Sequence, residues 1–522
     1  MKKKFAIWIL IVATALGTAC AKEETLPSVP DYTPPAQADA GFRDIVEVEE
    51  SDTPFVTDGK TEHRLVADTS VAEINRAASF IVSHVEAATG ATLPVIGEDE
   101  ASWSEDAKYV VLGCEDLFGE AGLMMPDADL RESGYYIRTA GDSVFIETQS
   151  VNGYQMGAIA FLREVIGYDM FSETRVTYSR TGETLPEMTI VERPDFDYRH
   201  WSNMMTAAAQ YGMGFSVNPD MVSVGGSTVH NSFKWLPPDE FKDEHPEWYA
   251  DNGQQLCYTA HGDRDEYEAM QEEIFERMKV YAEENPNVNT MSVSQEDLPS
   301  TCTCPTCSAA VDKYGTICGT TIPFLNDLSD KLNAWLEEQA EESGTPKRTI
   351  YIIQFAYRVT SKAPVKEVDG EWVPIDDSVV CRDTVGIEIA PIEAKYNQPF
   401  ETETNAAMAE QISQWGVVTK NIYYWLYETN FWAYLLPYNS WDSTVQHYRF
   451  AIRYGSVYMF NEGQLGQNSG TGFTRLKDYI DSKAQFDVNV NTAEVIDDFF
   501  EGYFLDAAEP MRAFFDELQA YL

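Results

Sequence analysis

Ser292-Val-Ser-Gln-Glu296-Asp297 runs closely into Cys302-Thr-Cys304-Pro-Thr-Cys307, so two carboxylates and three thiols follow one another in a short stretch. Paired carboxyls suit glycosidic cleavage. One carboxylic acid protonates the departing oxygen, and a second carboxylate stabilises or attacks the cationic sugar carbon. Neighbours in an extended segment point to opposite faces, so only one of Glu296 and Asp297 can aim at a given cleft. Both stand as candidate catalytic residues with their roles open. Glu428 is the third candidate, expected to face them across a sugar-sized gap. The plainer reading of any acid at a strand end is an N-cap for the next helix.

The cysteine run allows three readings. The C-x-C-x-x-C spacing accepts a tetrahedral ion such as zinc if a fourth ligand arrives, and Cys257 is the natural candidate, with Cys318 in reserve. The metal set is then Cys257, Cys302, Cys304 and Cys307, holding a structural zinc. Disulfides compete if the chain is exported, and free thiols are the third possibility. The chain has 8 cysteines. With Cys20 set aside as a lipidation site the remainder is odd, so one at least stays unpaired within the monomer. Cys114 and Cys381 sit beside apolar strand residues and read as small buried hydrophobes. No cofactor is expected for catalysis.

Groups of this kind need a rigid frame. After Pro194 the pattern alternates strand and helix, as in a parallel sheet. Strands are predicted near Phe196–Met204, Met221–His230, Gln255–Ala260, Thr290–Asp297, Thr349–Tyr357, Val385–Glu393, Asn421–Thr429 and Ser456–Glu462. Helices are predicted at Tyr267–Tyr281, Phe324–Leu336, Met408–Trp415, Val445–Ile452 and Leu476–Lys483. Eight such units favour a (β/α)8 TIM-like barrel over residues 195–485, whose catalytic groups lie at the C-terminal strand ends. There the sequence supplies His200, Asn203, His230, Tyr357, Glu393, Trp425, Tyr427 and Glu462 as candidate substrate-binding residues. Asn231, Arg358, Glu388 and Asn461 fall at the same ends. Arg199 and Arg358 are of the type that clamps a uronic acid carboxylate, although ion pairing is the blander account. His245-Pro-Glu-Trp248 reads as a helix start with a packing tryptophan.

Residues 44–194 read as a small α/β domain preceding the barrel. Ala78, Ile81, Val82, Val85 and Ala88 recur at helical spacing up to Gly90, and Tyr109–Leu112 is a buried strand. Tyr135–Arg138 and Val144–Glu147 flank a Gly141-Asp142 turn as a hairpin, followed by a helix from Tyr154 to Val165. Residues 486–522 read as a helical tail packed outside the barrel. The fold class is α/β throughout.

Acidic residues number 85 against 37 basic ones, a net charge of −48. That sign repels phosphate backbones and excludes nucleic acid as a partner. Lys2, Lys3 and Lys4 precede an apolar run from Phe5 to Leu16, then Gly17, Thr18, Ala19 and Cys20. This is a secretory signal over 1–19, similar to a bacterial lipoprotein signal, with Gly17 where an aliphatic residue is usual. Residues 20–43, with Pro27, Pro30, Pro34 and Pro35, read as a tether. The expected location is therefore the cell surface or outer membrane, with membrane contact through a lipid on Cys20.

Leu130-Arg-Glu-Ser-Gly-Tyr-Tyr-Ile-Arg138, Gly153-Tyr154, Phe161-Leu162 and Gly167 resemble the N-terminal domain that precedes the barrels of β-hexosaminidases and α-glucuronidases. Phe196–Trp201, His245–Trp248, Gln255–Cys257, Ser292–Asp297, Cys302–Cys307, Ile422–Tyr427 with Phe431 and Pro437, and Phe460–Gly463 resemble an exported bacterial family called domain of unknown function 4838. Together the resemblances run from about residue 65 to the C-terminus. They imply a glycoside-hydrolase-like architecture and a carbohydrate substrate, or a glycan-binding surface lipoprotein that has lost catalysis. Two departures stand out. Trp425-Leu426-Tyr427 replaces an expected Trp-Asp-Tyr, with Glu428 one step on. Glu296-Asp297 also reverses the Asp-Glu order of hexosaminidases.

Overall fold

The computed structural model describes residues 42–201, 205–216, 229–286, 288–463 and 473–522. The expected signal 1–19, Cys20, nearly all of the tether, Asn203 and most of the strand expected at 221–230 lie outside the described residues. The described part belongs to one compact unit.

The chain opens with β1 (Ile45–Glu49), β2 (Arg64–Ala67), β3 (Val95–Ile96), β4 (Tyr109–Leu112), β5 (Tyr135–Ala140) and β6 (Ser143–Glu147). A hairpin of β7 (Tyr168–Ser172) and β8 (Arg175–Tyr178) follows, then β9 (Glu187–Glu192). All but the hairpin form one mixed sheet in the order β1-β9-β5-β6-β4-β2-β3. The helix Ala72–Thr89 lays Ile74, Ala77, Ala78, Ile81 and Val85 on this sheet and stops at Gly90, whose φ of 76° suits glycine. The helix Gly153–Ile166 packs into the same core. These elements match the sequence expectation closely, because each has a single apolar stripe and a glycine stop.

The second sheet contains β10 (Tyr198–Trp201), β11 (Thr290–Ser292) and β12 (Tyr351–Ala356). An inserted hairpin, β13 (Val365–Val368) and β14 (Glu371–Pro374), separates these from β15 (Val385–Ile389), β16 (Asn421–Tyr427) and β17 (Tyr458–Glu462). The order is β10-β17-β16-β15-β12-β11, every pairing parallel. First strand beside last is the signature of a sheet curling toward closure. Asn289 Nδ2, just before β11, donates to the Tyr198 hydroxyl on β10, so the two edges reach each other at one end. The sheet is a half-barrel of six strands among the described residues.

A complete eight-stranded barrel is not seen there. The strand expected at Gln255–Ala260 is absent and is corrected: Leu256 makes an isolated antiparallel bridge with Tyr249, and Ala260–Gly262 is a 3-10 turn. Gln-Leu-Cys-Tyr-Thr-Ala carries one β-branched residue, and positive φ angles of 42° at Ala260 and 52° at His261 turn the chain back on itself.

Helices cover the outer face. Arg264–Glu284 and Cys318–Ser343 bury Met270, Ile274, Met278, Leu325, Leu328 and Leu332. Ala406–Gly416, Trp441–Ile452 and Thr474–Phe486 serve β15 to β17. The tail is helical, as expected, and Phe515 packs edge-on to Trp441 with ring centres 4.9 Å apart. Among the described residues no helix is long and apolar enough to cross a membrane.

Candidate functional site

Residues in register across parallel strands share a face, and the inner face of the half-barrel is built in rows. Phe355, Glu388, Tyr423, Tyr458 and Tyr198 form one row. Trp425, Phe460 and His200 lie one layer nearer the C-terminal ends, and Tyr427 with Glu462 one layer further. The face is rich in aromatic rings and carries two carboxyls.

Glu462 is held by Trp425, whose indole Nε1–H donates to Oε2 at 2.8 Å. Burial raises the Glu462 pKa above the usual carboxylate range, with the indole bond opposing in part. Tyr427 packs at 6.3 Å from Trp425 and 5.9 Å from Phe431, which lies 6.0 Å from Tyr434. Beside them Trp432 is 99% exposed. A trail of rings therefore leads from Glu462 outward.

Tyr357, just past β12, stacks on Phe355 at 5.1 Å and carries the Arg358 guanidinium 5.0 Å from its ring centre. Arg358 faces Asp297 at 3.5 Å. Burial raises the Tyr357 pKa; Arg358 opposes, while Asp297, Glu393 and Glu462 add to the rise. His230, with φ of 53°, sits edge-on to Phe355 and Tyr357, and its Nδ1 lies 2.9 Å from the Gln295 carbonyl. His200 keeps solvent access although protein surrounds it, as a side chain in a concavity does. That surrounding lowers its pKa.

Other candidates are drawn elsewhere. Glu296 is half-buried, and its Oε1 accepts from Ser232 Oγ and from the Phe233 N–H, both at 2.9 Å. It caps the short helix Ser232–Trp235 from outside the helix. Glu428 requires a correction. Alternation along β16 sends it to the outer face, where it is 1% exposed. There it accepts from Ser440 Oγ at 3.1 Å and from Thr444 Oγ1. It cannot oppose Glu296 or Asp297 across the mouth.

Arg199 is likewise no clamp: 1% exposed, it is spent on the carbonyls of Gly214, Phe196 and Asp197. Asn461 faces outward, donating to Tyr448 and Asp481. Asn231 serves β11, donating to the Ser292 carbonyl and accepting from the Ser294 N–H. Glu388 is the residue whose weight the sequence reading missed. Neither carboxyl oxygen has a hydrogen-bond partner, and burial pushes its pKa up to about 8. A lone acid between Ile387 and Ile389 was the available signal.

Cys257, Cys302, Cys304 and Cys307 are all buried, with sulfurs within 4.8 Å of one another. Cys318 is apart, donating to the Thr360 carbonyl. Cys114 is buried among apolar residues, and Cys381 is half-buried against two apolar clusters.

No curated protein sequence matches the chain. Among solved structures, CpGH84D is similar at 13% identity over 89% of this chain and 72% of its own, with a TM-score of 0.49. The N-acetyl-β-hexosaminidase of Streptomyces plicatus follows at 10% identity, 89% and 94% coverage and a TM-score of 0.43. The exo-β-N-acetylglucosaminidase of Vibrio harveyi has 12% identity, 88% and 75% coverage and a TM-score of 0.41. Likenesses at this level assign no reaction to this chain. A family model matches residues 172–516, from the hairpin β7–β8 through both the inner face and the cysteine cluster, and on that match the chain belongs to the family described as domain of unknown function DUF4838.

Proposed function

We propose that this protein is a glycoside hydrolase acting on an extracellular oligo- or polysaccharide, with the C-terminal rim of the half-barrel as its cleft. The observation that supports this most is the ring trail Trp425–Tyr427–Phe431–Tyr434 leading to and from Glu462. Sugars stack their C–H faces on such rings, and a carboxyl at the end of the trail meets the glycosidic oxygen. Glu462, its pKa raised by burial, is the acid that gives its proton to the departing oxygen. Asp297, paired with Arg358, stabilises or attacks the cationic carbon. Glu393, Tyr357, His230 and His200 bind hydroxyls around the ring. On this reading the chain is carried to the cell surface by a lipid on Cys20.

A second reading, a glycan-binding surface protein without catalysis, is favoured by one observation: Glu296 is engaged as a helix cap. One experiment separates them. The purified chain, Glu462→Gln and Asp297→Asn are screened on aryl glycosides and on plant and host glycans, with binding followed in parallel. Turnover by the wild type that both variants lose supports the hydrolase. Binding by all three with no turnover anywhere selects the binding protein.

A further inference from the structure

We propose that Cys257, Cys302, Cys304 and Cys307 hold one zinc ion, and that this ion fastens the segment bearing Glu296 and Asp297 to the turn at 255–262.

The sulfur spacing carries the argument. Cys257 Sγ lies 3.8 Å from Cys304 Sγ and 3.7 Å from Cys307 Sγ, and all four sulfurs fall within 4.8 Å of one another. A disulfide needs about 2.05 Å. A tetrahedron with metal–sulfur bonds of about 2.3 Å has edges of about 3.8 Å. The cluster has the dimensions of the second object.

Its surroundings suit thiolates rather than thiols in an oily pocket. The His261 N–H points at Cys257 Sγ at 3.3 Å, and the Cys307 N–H at Cys304 Sγ at 3.4 Å. The Thr259 hydroxyl lies 3.3 Å from Cys257 Sγ and 3.2 Å from Cys307 Sγ. Donors around the sulfurs are what orient ligands and spread the negative charge of a tetrathiolate ion.

Local sequence builds the two halves. Cys304 is the N-cap of the helix Pro305–Tyr314, with Pro305 in its first turn, so the Cys304 side chain folds back toward Cys307. On the other half, Ala260 and His261 hold positive φ and Gly262 follows at 90°. A Cβ on Gly262 would come within 2.4 Å of Thr306 Oγ1, so glycine lets this turn close onto the helix start. Strained non-glycine positions persist only where surroundings hold them, and a metal joining both halves does so. Four sulfurs, with no carboxylate or imidazole among the grouped ligands of the described residues, select a soft ion of tetrahedral habit, and zinc takes that geometry with no electronic penalty.

The ion has a mechanical consequence. Gln255, two residues before Cys257, exchanges two bonds with Glu296: its Nε2 donates to the Glu296 carbonyl at 2.9 Å, and its Oε1 accepts from the Glu296 N–H at 3.0 Å. Fixing Cys257 against Cys302 therefore fixes the backbone at Glu296.

The test uses the full chain purified without metal-affinity steps. Elemental analysis is expected to return one zinc per chain. Cobalt(II) added to chelator-stripped protein is expected to give the intense thiolate charge-transfer and red-region absorption of a tetrahedral tetrathiolate. Cys304→Ser should lose the metal and that spectrum, while Cys381→Ser, outside the cluster, keeps both. The wild-type cobalt spectrum decides the matter should Cys304→Ser fail to fold. Metal-free protein whose four thiols alkylate freely and whose melting is unmoved by zinc overturns the proposal. A disulfide within the four, found by mass spectrometry, overturns it equally.

Discussion

Glu388 on β15 and Glu428, one residue past the end of the adjacent β16, are buried carboxyls that look to opposite sides of one sheet. Glu428 stands among helices, where Ser440 and Thr444 donate to its oxygens and Lys477 Nζ donates to its own carbonyl at 3.1 Å and to Ser440 Oγ at 2.6 Å. Burial lowers the Lys477 pKa to about 8 while Glu428 pulls it back up. Glu388 stands among aromatic rings with no donor at either oxygen. The outer acid has a donor at each oxygen, and those bonds hold the helix Trp441–Ile452 to the end of β16. The inner acids differ: Glu388 is enclosed with neither oxygen paired, and Glu462, one strand end further up, accepts a single bond from the Trp425 indole. A buried acid without a donor on a ring-lined inner face points to a site, and one with a donor at each oxygen among helices points to structure.

The largest expected effect separates the two faces outright. Glu462→Gln removes the proposed acid without changing shape, so turnover of a substrate with a poor leaving group should fall by about 10² to 10⁴-fold. Its melting temperature should stay close to wild type. An unchanged rate would move the acid elsewhere on the rim.

Glu428→Ala tests the outer face in the opposite sense. The substitution strips the buried Ser440 and Thr444 hydroxyls of their acceptor and removes one of the three carboxylates, with Asp478 and Asp481, that support the Lys477 charge, which costs about 1–3 kcal/mol. Urea unfolding should show that loss in midpoint, while the protein that remains folded keeps its turnover. Wild-type stability with lost activity would reverse the assignment of the two faces.

Glu388 offers a gentler probe through pH. Its folded pKa, about 8, lies above that of an unfolded carboxyl. The neutral form is favoured in the fold, so its contribution to stability is complete below about pH 4.3 and is lost as pH rises through about 8. Wild type should therefore lose a few kcal/mol over that window, on the order of 1.4 kcal/mol per pH unit at the steepest. Glu388→Gln should flatten the decline. A profile identical in both proteins would mean that Glu388 is solvated and ionised throughout.

The same two faces explain what the sequence could and could not tell. The helix Ala72–Thr89, the β5–β6 hairpin and five of the helices behind the second sheet follow from single apolar stripes, turn glycines and capping residues. Strand parity was harder. In Asn421-Ile-Tyr-Tyr-Trp-Leu-Tyr427 both faces are apolar or aromatic, so alternation is invisible and Glu428 looked as available as Trp425. Yet placing Trp425 and Tyr427 at the mouth already sends Glu428 behind the sheet, the rule applied to Glu296 and Asp297. The β13–β14 hairpin had its signal in Asp369-Gly370, both at positive φ. The turn at 255–262 did not, because its shape is set by contacts with Thr306 and the cysteine cluster, distant in the chain. Spacing groups Cys302, Cys304 and Cys307, and Cys257 is expected beside them from the end of a third barrel strand; that strand is absent, and the turn at 255–262 brings the sulfur there instead.

The smallest effect asks how far the inner face extends. Trp432 is 99% exposed and makes no packing contribution to lose, so Trp432→Ala should leave melting within about 1 °C of wild type. If the ring trail carries sugars away from Glu462, a chain long enough to reach Trp432 stacks on it and a monosaccharide glycoside does not. One sugar–ring contact is worth about 0.5–1.5 kcal/mol, which corresponds to about 2- to 12-fold in KM or Kd. The variant should therefore weaken binding of a long oligosaccharide by that factor while kcat/KM for an aryl monosaccharide is unchanged. Equal losses on both substrates would mean that Trp432 acts on the cleft itself through Phe431 and Tyr427. No loss on either would end the trail at Tyr434 and confine recognition to the rim around Tyr357.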